Sequence, residues 1–149
     1  MQEHLMHAVM DEVEKAIQEK NSPFGAVIAA LDGTIIATAH ATTHSEMDPT
    51  AHGEMNAIRS ACKKLGTKDL SPYCLVSNAQ SCPMCFSAAV QANISHFIFG
   101  YAEDDTLVPR ATVFEMKKYC KDEIQIETGV LVEQCREQIE RGRTIKKNP

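Results

Sequence analysis

No stretch of this sequence approaches the roughly 18 uninterrupted apolar residues that a membrane-spanning helix needs, so no span is expected. A surplus of positive charge is missing as well: 15 Lys and Arg stand against 20 Asp and Glu, for a formal net charge of −5. Proteins that grip a phosphate backbone usually carry a basic excess, so a small substrate is favoured over a polyanion. The first fifteen residues lack the cationic start and pure apolar run of an export leader and hold acids and histidines instead. A cytoplasmic protein is therefore expected. In that reducing setting the six cysteines should be thiols, and a close pair among them points to a metal before a disulfide. Internal repeats and low-complexity linkers are absent too, and 149 residues at 44% apolar composition suit a single domain over 1–149.

What is present begins with helical spacing. Leu5, Met6, Val9, Met10, Val13, Ala16 and Ile17 recur three and four apart, which predicts an amphipathic helix over 5–17, broken at Asn21-Ser22-Pro23. Apolar runs at 24–31 and 34–39, joined through Asp32-Gly33, predict a hairpin. Asp48-Pro49-Thr50 reads as a helix start with Thr50 as N-cap, followed by helix formers from Ala51 to Leu65 and a stop at Gly66. A strand is expected over 73–77, a helix over 83–92, a short buried strand over 94–100, a helix beyond Pro109, a strand over 124–127 and a last helix over 130–141. Residues 141–149, with Arg141, Arg143, Lys146 and Lys147, read as a loose, solvated basic tail that can also be imagined on RNA. Strands alternating with helices after a hairpin imply an α/β fold, a mixed sheet covered on both faces by helices.

Two short motifs carry chemistry. Cys82-Pro83-Met84-Cys85 is a C-x-x-C at a predicted helix start, where residues three apart share a face and the helix dipole favours thiolates. Taken alone it fits a metal site, a redox pair or two buried thiols. His52-Gly53-Glu54 also opens a predicted helix, some thirty residues earlier. Two thiolates and one neutral imidazole balance the charge of Zn²⁺ and leave a fourth tetrahedral position for water, which implies hydrolysis. In a regular helix Glu54 would point roughly 200° away from His52, so it should not ligate the same ion; its longer arm suits a general base that takes and returns a proton.

The pairing of H-x-E with a downstream C-x-x-C, together with Pro23-Phe24-Gly25-Ala26 and the run from Asp48 to Arg59, resembles the cytidine and deoxycytidylate deaminase superfamily. The guanine, cytosine and tRNA adenosine deaminase branches are the most similar. The resemblance spans about residues 5 to 141 and implies a three-layer α/β/α sandwich with a mixed five-stranded sheet. It also implies zinc on His52, Cys82 and Cys85, Glu54 as the proton shuttle, and release of ammonia from a nucleobase or nucleoside. Guanine or cytosine type substrates are favoured, with a tRNA wobble adenosine deaminase or a catalytically silent zinc-binding paralogue as alternatives. Close relatives are commonly dimers, so a homodimer is expected.

Three positions depart from the family pattern. Ser81 replaces the proline before the first cysteine, Gln80 stands where an acid is common, and Ala41 replaces an asparagine that typically hydrogen-bonds the base. Phe24, Ala41, Gly53 and Ser81 are accordingly the substrate-side candidates, with His40, Thr42, Thr43 or His44 as substitutes for the missing amide. Gly25 is expected to admit a ligand close to the backbone. His4, His7 and His96 read as solvated side chains, and Cys62, Cys74, Cys120 and Cys135 as buried packing residues.

Overall fold

The computed structural model describes residues 2–103 and 107–147. Helix α1 (Gln2–Gln18) leads into the hairpin β1 (Gly25–Ala30) and β2 (Ile35–His40), then α2 (Gly53–Leu65), β3 (Tyr73–Ala79), α3 (Pro83–Gln91) and β4 (His96–Tyr101). A short helix α4 (Val113–Met116) runs into a 3₁₀ turn at 117–119, followed by β5 (Gln125–Glu127) and α5 (Val132–Lys147). The strands lie in the order β2-β1-β3-β4-β5. Pairing is antiparallel on either side of β1 and parallel on either side of β4, so the sheet is mixed as expected.

Alternation along the strands divides the core in two. Ala26, Ile28, Leu75, Phe97 and Phe99 point to the face covered by Ala57, Ile58 and Ala61 of α2 and Phe86 and Ala89 of α3. Val27, Ala29, Cys74, Val76 and Ile98 point to the other face, where they meet Leu5, Met6, Val9 and Val13 of α1 and Cys135 of α5. Strands β1, β3 and β4 are thus apolar at successive positions because both of their faces are covered. The result is the three-layer sandwich, with α2 and α3 side by side on one face. No helix is long and apolar enough to cross a membrane among the described residues.

Two local expectations are corrected. The second helix starts at Gly53 with His52 as N-cap, not at Thr50, because Asp48 Oδ1 accepts from both the backbone N–H (2.8 Å) and the hydroxyl (2.7 Å) of Thr50 and closes a turn ahead of the helix. The chain from Arg141 is not loose: α5 continues to Lys147, Arg141 pairs with Glu14 at 2.8 Å, and Gly142 packs on Pro23 and Ile17. Asn148 and Pro149 lie outside the described residues.

Candidate active site

Both motif segments end up at helix N-termini on the same face of the sheet. His52 and Cys82 are the N-caps of α2 and α3, each with extended backbone angles, and neither spends its side chain on capping its own helix. Pro83 at the first turn of α3 fixes that entry angle, since its missing N–H has no helical partner to lose. The ligand atoms of His52, Cys82 and Cys85 lie within 4.8 Å of one another.

The donor set passes a geometric test for a shared ion. His52 Nδ1 is 3.6 Å from Cys82 Sγ and 3.5 Å from Cys85 Sγ. Tetrahedral zinc, with Zn–S about 2.3 Å and Zn–N about 2.0–2.1 Å, sets nitrogen and sulfur about 3.6 Å apart. Nδ1 is the ring nitrogen that faces both sulfurs. A proton on Nε2 would leave the Nδ1 lone pair for a metal. All six cysteines are free thiols. A hydrogen bond from Cys85 holds the Cys82 thiol well below its ordinary range, and the Cys82 sulfur in turn raises His52. The Cys85 thiol is pushed up by Cys82 beside it and by burial. Among the described residues no fourth His, Cys, Asp or Glu joins the group. The arrangement fits Zn²⁺ with three protein ligands.

Glu54 is 5% exposed, and burial pushes its carboxyl above the usual carboxylate range. The regular-helix divergence from His52 does not apply, because His52 precedes the first helical residue and has extended angles. Both side chains therefore reach one cavity of about 320 Å³, which Phe24, Ala41, Gln80 and Cys82 also line. Leu107 and Val108 complete its apolar side. The buried Ser81 hydroxyl approaches the Glu54 carboxyl without reaching hydrogen-bonding geometry and has no partner.

The substrate-side candidates separate. Phe24 and Ala41 line the cavity, and Thr43 does so from the same loop. Gly53 and Ser81 are not among its lining residues; a Cβ on Gly53 would sit 3.0 Å from Gly25 Cα, so this glycine lets α2 pack on the Phe24-Gly25 backbone. Gly25 serves packing as well, since a Cβ there would come within 3.1 Å of Val9 O and Val13 Cγ2. His40 and His96 are engaged rather than solvated: His40 bridges Glu12 and Glu19, and His96 pairs with Glu127 at 2.5 Å. Cys74 and Cys135 are buried, Cys62 and Cys120 only partly. Gln80, Leu107 and Val108 were missed as cavity residues; nothing periodic marks 107–108, and Gln80 stood out only as a departure from a pattern.

Comparisons with known proteins agree with this geometry. Residues 1–101 match the cytidine and deoxycytidylate deaminase zinc-binding region. The chain is 33% identical to the tRNA-specific adenosine deaminase of Bacillus subtilis over 132 residues, covering 87% of this chain and 81% of that protein. It is 48% identical to the guanine deaminase of Bacillus subtilis over 66 residues, covering 44% of this chain and 42% of that one. It spans only 17% of the tRNA(Ile)-lysidine synthase of Deinococcus radiodurans, which it matches at 38% identity over 101 residues, 65% of this chain. A solved structure from a study of A-to-I editing by tRNA:A34 deaminases superimposes with a TM-score of 0.81 at 28% identity, covering 91% of this chain and 98% of that one. This chain belongs to the cytidine and deoxycytidylate deaminase zinc-binding family.

Proposed function

We propose that this protein is a hydrolytic deaminase that releases ammonia from a nucleobase or nucleoside of the guanine or cytosine type. The observation that carries the reading is the buried Glu54 carboxyl opening into the same cavity as His52 and Cys82. Zinc held by His52, Cys82 and Cys85 would supply a water activated for attack at neutral pH. Glu54 takes the proton as the water oxygen adds to the amino-bearing ring carbon, and returns it to the amine as the C–N bond breaks and ammonia leaves. Burial suits Glu54 to both steps, because a carboxyl raised toward neutrality can accept a proton and also give it up. Phe24 offers the ring a flat apolar surface, and the negative net charge suits a small neutral substrate. Purified protein should release ammonia from guanine or cytosine, and Glu54→Ala should stop it; activity that survives this change overturns the mechanism.

One observation favours a second reading, deamination of a tRNA adenosine. Arg143 stands 5.7 Å over the Phe24 ring, and Lys146 Nζ donates to Ser22 Oγ at 3.0 Å, so two cations of α5 sit against cavity-lining residues. That reading predicts inosine in tRNA and binding that weakens steeply with salt. A homodimer belongs to either reading, and size-exclusion chromatography tests it. A silent paralogue is disfavoured because, among the described residues, no fourth ligand closes the group.

A further inference from the structure

Gln80 lies two residues before Cys82, at the exit of β3, and lines the cavity. It is 6% exposed, and both ends of its carboxamide are engaged. Nε2 donates to the Ala102 carbonyl at 2.7 Å, and Oε1 accepts the Val113 N–H at 2.9 Å. Its backbone N–H donates to the Tyr101 carbonyl at 3.0 Å. One side chain thus grips the chain where it leaves β4 and again where it enters α4. Leu107 and Val108 come from between those two anchor points, outside any helix or strand, and both line the cavity; Leu107 is 8% exposed and Val108 80%.

We propose that Gln80 is a positioning residue that sets substrate preference, by pinning both ends of the chain that presents Leu107 and Val108 and so fixing the apolar wall of the cavity. The chemistry of the bridge demands a carboxamide. One end must donate to a carbonyl and the other must accept from an N–H; a carboxylate can do only the second, and a hydrocarbon neither. Anchoring the chain at Ala102 and Val113 limits the freedom of Leu107 and Val108, which is what lets two residues without secondary structure serve as a wall. The wall then limits what fits beside the ring bound over Glu54. Gln80 touches no reacting atom and acts through Leu107 and Val108.

The proposal rests on the deaminase reading, and the test separates the two. Zinc content, ammonia release and backbone amide exchange are compared for the wild-type protein, Gln80→Leu, Gln80→Glu, Leu107→Ala and the Gln80→Leu/Leu107→Ala pair, with guanine, guanosine, cytosine and cytidine as substrates. Gln80→Leu should keep its zinc, raise KM for the preferred base about tenfold with kcat changed by less than about threefold, and narrow the preference between base and nucleoside about tenfold. Gln80→Glu should shift the same quantities less, since it keeps the Val113 bond. Leu107→Ala alone should reproduce the narrowing, and the double variant should add little to it, as expected of two residues acting on one wall. A fall in kcat at unchanged KM, shared equally by all four substrates, or effects that multiply in the double variant, would overturn the proposal. If the wild-type protein deaminates none of the four, the deaminase reading for these substrates fails, and Gln80 is judged on exchange alone. Faster exchange at Val113 in Gln80→Leu, with α3 unchanged, upholds the pinning; unchanged protection at Val113 rejects it.

Discussion

The floor of the cavity and its rim are built by different means. The floor consists of His52, Glu54 and Cys82, with the buried Cys85 in the same metal group, all at the N-termini of two helices that pack on one sheet face. Its geometry follows from helix starts and a C-x-x-C spacing. The rim is assembled from pieces without regular structure, around Phe24, Ala41, Thr43, Leu107 and Val108, and each piece is tied down by a carboxamide. Asn78 holds the Phe24 segment through Pro23 O (3.0 Å) and Gly25 N (3.1 Å). Asn56 holds the Ala41 segment by donating to His40 O at 3.0 Å and Thr42 Oγ1 at 3.0 Å, and Asn21 Oδ1 accepts the His44 and Ser45 N–H groups at 3.0 Å each. Gln80 does the same for the third piece. A floor of this kind is fixed by the chemistry it must perform, whereas a rim held by side-chain hydrogen bonds can be reshaped without disturbing that chemistry.

The comparison breaks most sharply at the floor. Cys85 is fully buried in the metal group, and Cys85→Ala removes one of the three proposed zinc ligands. We expect the variant to purify without stoichiometric zinc and to release no measurable ammonia; full zinc occupancy by atomic absorption would reject the ligand assignment. Glu54→Gln is the next largest effect. It preserves shape and should retain zinc, while ammonia release falls about 10²- to 10⁴-fold, the range for loss of a general acid–base group. Zinc lost together with activity would make Glu54 a structural member of the floor instead.

These floor residues were also the ones most legible in the sequence. H-x-E and C-x-x-C are local patterns whose spacing maps onto helix starts, and the two-sided apolar runs at 24–31 and 73–77 announced covered strands. The misreadings share a cause. Thr50 has the chemistry of an N-cap, but its hydroxyl and N–H are both taken by Asp48, and the cap passes to His52. Gly53 reads as a substrate-side candidate and Gly25 as a ligand-approach glycine, yet they face each other across a helix–strand contact that joins residues far apart in the chain. The charged stretch from Arg141 has no apolar periodicity strong enough to declare a helix, and is held by Glu14, which lies 127 positions away. Gln80 bonds Ala102 and Val113 at separations of 22 and 33 residues. Side chain to backbone bonds of that kind leave no repeating mark in a sequence.

A third change sharpens the contrast from the rim side. Asn78 is fully buried, and Asn78→Leu strands the Gly25 N–H and the Pro23 carbonyl in its place. At about 1–3 kcal/mol for each buried group left unpaired, the loss should be about 3 kcal/mol, read from urea unfolding. Zinc binding should survive while KM rises, because the Phe24 segment loses its tie and the floor does not. A stability loss below about 0.5 kcal/mol would show that the Pro23–Gly25 segment is held by other contacts.

The smallest expected effect concerns how the rim loop after β2 is moored to α1. Glu12 is buried, and burial by itself would raise its carboxyl, but hydrogen bonds from Lys15 (2.7 Å) and His40 (3.1 Å), with their charges, outweigh that and hold it below the usual 4.5. His40 is the last residue of β2, next to Ala41, so this carboxylate fastens the start of the rim loop, with Glu19 on the other side of the same imidazole. Because the folded value is depressed, Glu12 contributes stability that is fully present above its unfolded value and is lost as pH falls through the folded one. Lys15 is 60% exposed and screened by solvent, so the contribution should stay under about 1 kcal/mol. Wild-type protein and Glu12→Gln should therefore differ in urea midpoint by a constant amount from neutral pH down to near 4.5, and the difference should close below it. A difference that widens on acidification would mean that the Glu12 carboxyl is protonated in the folded protein, and that the mooring is not ionic.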